Sequence, residues 1–275
     1  MLGNRTESET GRNRGERGDA RKGRRLAPCL VAALVAALAL AGAPAGAQQF
    51  NSDNQWTAPH GVGTFVLTAG QEYSAFVATA ALLEDWEFNL TLTRFPEDPE
   101  NRTEDHYSGS FYVKHRLWEN EAENGGFALT FGTGHSPSYL SEGEVTDTFR
   151  SWWANAVYTI PFRDGDVQLD LLPGFIATFD KNRQDNDTWN ASYSSRLAVY
   201  KIIPSSAIVA EVFGTVGEQH APPQYRAGIR WESPHVIVAG TYGRQFDGEG
   251  GARFELGLIV LTNPLKIFCL GGGCG

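Results

Sequence analysis

Eleven charged residues stand at alternate positions within segments that are rich in Val, Ile, Thr and aromatic side chains. Alternate residues of an extended strand share one face, so these charges would line one surface. The guanidinium group of arginine is planar and binds carboxylate or phosphate through two hydrogen bonds. The candidates for lining this surface are Glu87, Lys114, Arg116, Asp170, Arg196, Glu211, Arg226, Arg230, Glu232, Arg253 and Glu255.

Two uses of these charges are open at the level of sequence. Arg196, Arg226, Arg230 and Arg253 are concentrated towards the end of the chain, with acidic residues close by. In the first interpretation they form an arginine track that attracts small anions. In the second they form a ladder of salt bridges that fills the interior of the fold.

A histidine and a serine two residues apart give a possible catalytic pair. His106 and Ser108 would share one face of a strand, and Asn155 follows in another strand. The imidazole would then be placed to take the hydroxyl proton. However, the apolar residues Tyr107 and Phe111 indicate that the pair points to the polar side of its strand. We therefore predict no enzyme and keep lipid hydrolysis as a lesser alternative.

Metal and cofactor signals are absent from the sequence pattern. The six histidines are scattered, without the helical i, i+4 spacing of a zinc site and without accompanying cysteines. We predict no metal and no cofactor. Cys269 and Cys274 enclose a Leu-Gly-Gly-Gly segment, which predicts a small disulfide loop in an oxidising compartment, with free thiols as the alternative.

The amino terminus has the three parts of a secretory signal peptide. Arg24 and Arg25 precede an apolar run at 30–40, which an Ala-x-Ala site follows. This run is shorter than the roughly 20 residues of a membrane-spanning helix. We predict a polar leader and signal peptide over 1–47, cleaved after Ala47, and a periplasmic segment over 48–60.

The rest of the chain repeats one pattern, in which strand-like segments are separated by clusters of Gly, Pro, Asn and Asp. The predicted strands are 61–68, 72–82, 85–95, 106–118, 125–134, 148–161, 166–178, 190–202, 206–217, 224–232, 235–246 and 252–262. After the first tight connection, short and long links alternate. That alternation, with an even strand count, is typical of an antiparallel up-and-down transmembrane β-barrel.

Alternation within the strands supports the same fold class. Segments 86–93, 167–171, 224–232 and 253–260 each alternate apolar and polar residues, as a wall between lipid and lumen requires. Segments 72–82 and 235–246 show no clear alternation. Pro173-Gly174 predicts a bulge in the seventh strand.

These patterns resemble the bacterial outer-membrane β-barrel proteins of the porin and solute-channel superfamily. The resemblance covers 61–262 and leaves 263–275 as a tail, whereas such barrels usually finish on an aromatic residue at the end of the last strand. It implies an outer-membrane location with periplasmic termini and contact with lipid and lipopolysaccharide. It also implies insertion by the barrel-assembly machinery.

The functional expectation is a barrel that passively passes or binds small polar or anionic solutes through a narrow charged lumen. The alternative is a closed structural or adhesion barrel without transport. A net charge of −9 argues against nucleic acid as a partner, because binding to phosphates requires a basic footprint.

Overall fold

A computed structural model of the chain describes residues 53–96, 106–134, 149–179, 187–218, 222–248, 250–251 and 253–268. These residues form twelve strands: β1 (Gly63–Gly70), β2 (Ser74–Leu83), β3 (Trp86–Phe95), β4 (His106–Glu119), β5 (Gly126–Gly134), β6 (Ser151–Phe162), β7 (Val167–Thr178), β8 (Thr188–Tyr200), β9 (Ser206–Gly217), β10 (Gln224–Glu232), β11 (Val236–Gln245) and β12 (Arg253–Leu261). Short 3-10 turns cover Arg163–Gly165 and Lys266–Phe268. No helix in the described ranges has the length and apolar character to cross a bilayer.

Every strand pairs antiparallel with its neighbours in sequence, and β1 pairs with β12, so that the sheet closes on itself. Thr64 lies opposite Leu261, and Gly70 lies opposite Glu255. Closure removes the edge strands that would otherwise present unpaired backbone groups. The predicted all-β, twelve-strand, up-and-down antiparallel barrel is confirmed.

The two rims of the barrel differ in their connections. One rim, here called the turn rim, carries the links 84–85, 120–125, 163–166, 201–205 and 233–235, together with the start of β1 and the end of β12. The other, the loop rim, holds the strand ends that the links 71–73, 96–105, 135–150, 179–187, 218–223 and 246–252 join. Apart from 71–73, the longer connections therefore join strand ends at the loop rim, in the order that the sequence predicted.

The alternation of side chains sets the two faces of the wall. In β3, Leu90 and Leu92 point outwards and are about half exposed, whereas Glu87, Asn89 and Thr91 point inwards and are buried. The same alternation continues through β10 and β12. A polar inner wall and an apolar outer wall result from the period of two in an extended strand.

Aromatic residues on the outer wall are concentrated towards the two rims. Those near the turn rim include Trp86, Trp118, Tyr158, Phe162 and Trp231, and those near the loop rim include Tyr107, Trp152, Trp189, Tyr225, Tyr242 and Phe254. Between them lies a belt of exposed aliphatic and phenylalanine side chains, among them Leu67, Leu90, Phe111, Leu129, Leu197 and Ile229. The outside of the barrel is therefore an apolar band between two aromatic girdles.

β7 keeps one register past the proline, so the predicted bulge at Pro173-Gly174 is wrong, although the ladder with β6 is interrupted at Leu172 and Pro173. Pro173 lies opposite Tyr193, and Gly174 lies opposite Ser192, without a shift. The glycine serves close packing instead: a Cβ at position 174 would lie 2.0 Å from Oδ1 of Asn155 on β6. Gly174 therefore leaves room for an inward-pointing amide.

Candidate functional site: the barrel interior

Buried charges of alternating sign cross the inner wall from β7 to β12. Arg196 contacts Oδ2 of Asp170 through Nε at 2.8 Å and Nη2 at 2.7 Å. Arg196 lies opposite Glu211, which lies opposite Arg226. Nη1 of Arg226 is 3.3 Å from Oε1 of Glu211, and its Nε is 3.0 Å from Oε2 of Glu255. We call these five residues the ion-pair ladder.

Arg226 is the residue that joins the two ends of the ladder. Gly243 of β11 lies opposite Arg226. Because glycine has no side chain, Arg226 has room to reach Glu255 on β12. Arg226 also donates a hydrogen bond to the Tyr73 hydroxyl at 3.3 Å and lies over the Phe213 ring. Burial raises the pKa of the Tyr73 phenol above its ordinary value, so the ring remains a neutral partner.

The ladder residues are at most 3% exposed. Buried charges are tolerated only when they are paired and hydrogen-bonded, because each loses its hydration. Each arginine of the ladder is paired with a carboxylate, although Nη1 of Arg196 has no hydrogen-bond partner among the described residues. The geometry therefore favours the salt-bridge interpretation of Arg196 and Arg226 over the arginine track.

A second buried charge cluster lies on β3 and β4. Lys114 lies opposite Glu87 in the strand register. Its ammonium donates hydrogen bonds to Oδ1 of Asp53, at 2.9 Å, and to the Trp56 carbonyl oxygen. Glu87 accepts a hydrogen bond of 2.7 Å from the backbone N–H of Ala58. Both wall residues therefore bind a segment that precedes β1.

That segment, residues 53–58, is here called the plug segment, and it lies inside the barrel. The sequence predicted a periplasmic segment over 48–60, but Asp53, Gln55, Thr57 and Ala58 are at most 9% exposed. The backbone N–H of Gln55 donates to Oγ1 of Thr159 on β6, at 3.0 Å. The segment thus reaches from the wall around β2 and β12 to the wall at β6.

An apolar cluster at the turn rim explains why the segment enters. Ala58 and Val62 pack with Ala81 of β2, Ile237 of β11, and Ile259 and Leu261 of β12. These strand residues point inwards although they are apolar. The unclear alternation of 72–82 and 235–246 was therefore the sequence signal, because a strand that packs a segment in the lumen is apolar on both faces.

The remaining charged candidates lie nearer the rims. Arg116 pairs with Asp85 and, at 2.8 Å, with Glu119. Arg230 is buried, pairs with Glu232 and donates to the Tyr200 hydroxyl at 3.0 Å. Arg253 differs from the prediction, because it is exposed at the loop rim.

The backbone explains the position of Arg253. Its φ of 54° turns the start of β12 away from regular strand geometry. The side chain is 56% exposed and pairs with Glu72 at 2.8 Å. Arg253 is therefore outside the ladder.

A neutral polar wall faces the lumen on β1, β3 and β4. Thr91 lies opposite Ser110, and Thr93 lies opposite Ser108. The hydroxyl groups of Thr64, Thr91, Ser108 and Ser110 and the Nδ2 atom of Asn89 are buried, with no hydrogen-bond partner in the structure. Since buried polar groups almost always have a protein or water partner, ordered water is the expected partner of these groups.

The His106, Ser108 and Asn155 triplet does not assemble on the outer wall. Ser108 points inwards and is 4% exposed. Oδ1 of Asn155 accepts a hydrogen bond from Ser192 at 3.2 Å, and β5 separates its strand from β4.

The described residues contain no cluster of His, Cys, Asp or Glu that would hold a metal ion. The leader over 1–47, the cleavage site after Ala47, and Cys269 with Cys274 lie outside the described residues.

Comparison with known proteins finds similar solved structures. No protein-family model matches the chain, and no curated protein is significantly similar in sequence. The crystal structure of an outer-membrane channel from Pseudomonas putida F1 is similar at 15% identity and a TM-score of 0.47. The match covers 74% of this chain and 96% of the channel.

Proposed function

We propose that this protein is a bacterial outer-membrane β-barrel that passively passes small polar solutes. The observation that carries the proposal is a closed barrel with a polar inner wall and an apolar outer band between two aromatic girdles. Lipid-exposed apolar residues and interfacial aromatic residues are the features of transmembrane barrels. A barrel stable in water would instead leave this band exposed, far beyond the apolar patches of ordinary soluble proteins.

The solutes that fit this interior are uncharged and rich in hydrogen-bonding groups. The ion-pair ladder has three carboxylates for two guanidinium groups, so its net charge does not attract an anion. The wall formed by Thr91, Ser108 and Ser110 offers hydroxyl groups that lack protein partners. A small polyol or sugar would complete those hydrogen bonds without desolvating a charge.

A closed structural barrel is the second candidate, and one observation favours it. The plug segment fills the interior near the turn rim, and the buried ladder crosses the inner wall from Asp170, near the turn rim, to Glu255, near the loop rim. Twelve strands lie between the eight of side-chain-filled barrels and the sixteen of open porins. The strand number therefore agrees with both functions.

Location and transport require separate experiments. We expect the protein to resist extraction of membranes by urea and to shift in mobility on a denaturing gel after heating. Release by urea would contradict the membrane location.

In vesicles carrying the purified protein, we expect swelling with small neutral sugars and weaker uptake of anions of the same size. If these vesicles are no more permeable to the solutes than protein-free vesicles, the result would support the closed barrel instead.

A further inference from the structure

We infer that residues 53–58 are a gate: the plug segment closes the lumen at the turn rim and opens it by swinging out about the turn at 59–61. This inference rests on the proposed channel function, since a gate needs a path to close. It adds a closed state, a hinge and a set of releasable contacts to that function.

The hinge lies between the plug segment and the first strand. Gly61 has a φ of 85°, a left-handed conformation that glycine adopts at little cost. Its N–H donates to the Ala81 carbonyl oxygen at 2.8 Å, and its own carbonyl oxygen accepts from the N–H of Leu265 at 2.8 Å. The chain is therefore anchored to the wall from Gly61 onwards.

The described residues before the hinge, 53–58, belong to no strand of the barrel. The segment is bound by side-chain contacts, chiefly with Lys114, Glu87 and Thr159, and by the apolar packing of Ala58. Its departure breaks none of the strand pairings that close the barrel. Opening the lumen in this way therefore leaves the wall intact, whereas moving a wall strand would not.

The bound charges favour a reversible closure. The negative Glu87 holds a backbone N–H of the segment, and the positive Lys114 holds Asp53 and a backbone carbonyl oxygen. When the segment leaves, Lys114 and Glu87 lie opposite each other on neighbouring strands and can pair. The wall therefore has compensated charges in both states, which keeps the open state accessible.

A designed disulfide tests closure in the full-length protein. Gln55→Cys with Thr159→Cys, in a background with Cys269→Ser and Cys274→Ser, places two thiols where the segment meets β6. We expect oxidation to lower the conductance of planar bilayers at least about tenfold and reduction to restore it. Gln55→Cys alone is the control and should not respond to oxidation. Equal conductance in the oxidised and reduced double variant would overturn the gate.

A release variant tests opening from the other direction. Ala58→Glu puts a second carboxylate beside Glu87 and into the apolar cluster, and we expect about a tenfold rise in the open fraction. Ala58→Ser is the matched neutral control and should behave like the parent. The heat-dependent gel shift identifies any variant that has failed to fold. An unchanged open fraction in folded Ala58→Glu would also overturn the gate.

Thiol labelling separates failure of the gate from failure of the channel. Thr57→Cys, in the same background, should react slowly with a hydrophilic maleimide because residue 57 is buried, and adding Ala58→Glu should accelerate it. Fast labelling both with and without Ala58→Glu would show that the plug segment is not buried in the lumen. If labelling responds but neither protein conducts, the proposed channel function fails, and the gate fails with it.

Discussion

Replacing Arg226 tests whether the ion-pair ladder supports the barrel. Arg226→Met removes the cation that Glu211 and Glu255 share, so two buried carboxylates lose their guanidinium partner. Breaking a buried ion pair by removing one partner costs about 3–5 kcal/mol, and we expect a loss of that size in the free energy of unfolding. Arg253→Met is the matched control. Arg253 is 56% exposed, and exposed pairs contribute about 0–1 kcal/mol.

Urea titration of the protein in lipid vesicles, followed by tryptophan fluorescence, measures both variants. A difference of about 3 kcal/mol corresponds to more than about a hundredfold in the unfolding equilibrium constant. Adding Glu211→Gln and Glu255→Gln to Arg226→Met should recover much of the loss, because the two side chains that lost the guanidinium group are then neutral. Equal losses in Arg226→Met and Arg253→Met would refute the structural role of the ladder.

Three further predictions use other parts of the wall. Leu90→Arg, at the outer belt, should destabilise the folded barrel by about 2–4 kcal/mol in the same titration, and a loss below about 0.5 kcal/mol would mean that residue 90 does not face lipid. Gly174→Ala should lower the urea midpoint, because its Cβ would lie 2.0 Å from Oδ1 of Asn155; an unchanged midpoint would show that the amide moves freely. Ser110→Ala should slow the swelling of vesicles with neutral sugars while leaving the anion-to-cation selectivity unchanged, and an altered ion selectivity alone would contradict the neutral wall.

The sequence predicted the interior charges more successfully than their use. Inward residues such as Asp170, Arg196 and Glu211 follow from strand alternation alone. Whether two charges pair depends on the register between their strands, and alternation within one strand does not specify that register. Arg253 shows a further limit. By alternation it shares the inward face of β12 with Glu255, but a local turn of the backbone places its side chain outside the lumen.

The plug segment shows what a strand-by-strand interpretation misses. Its six residues have no periodicity, so the sequence placed them with a periplasmic segment. The evidence for its position lay elsewhere, in inward apolar residues such as Ala81, Ile237 and Ile259, which belong to three different strands. Only a closed barrel brings those strands together around Ala58.

The sequence by itself determined the fold class of this protein, because period-two alternation and the order of short and long links are local properties of an extended chain. It also predicted which charges face inwards, with Arg253 as the exception. The tertiary structure decided what those charges contact: Arg226 joins β9 and β12 across a glycine, and Lys114 holds a segment from before β1. The physical reason is that a buried charge must find its partner through space, and closure of the barrel creates the neighbours that it finds.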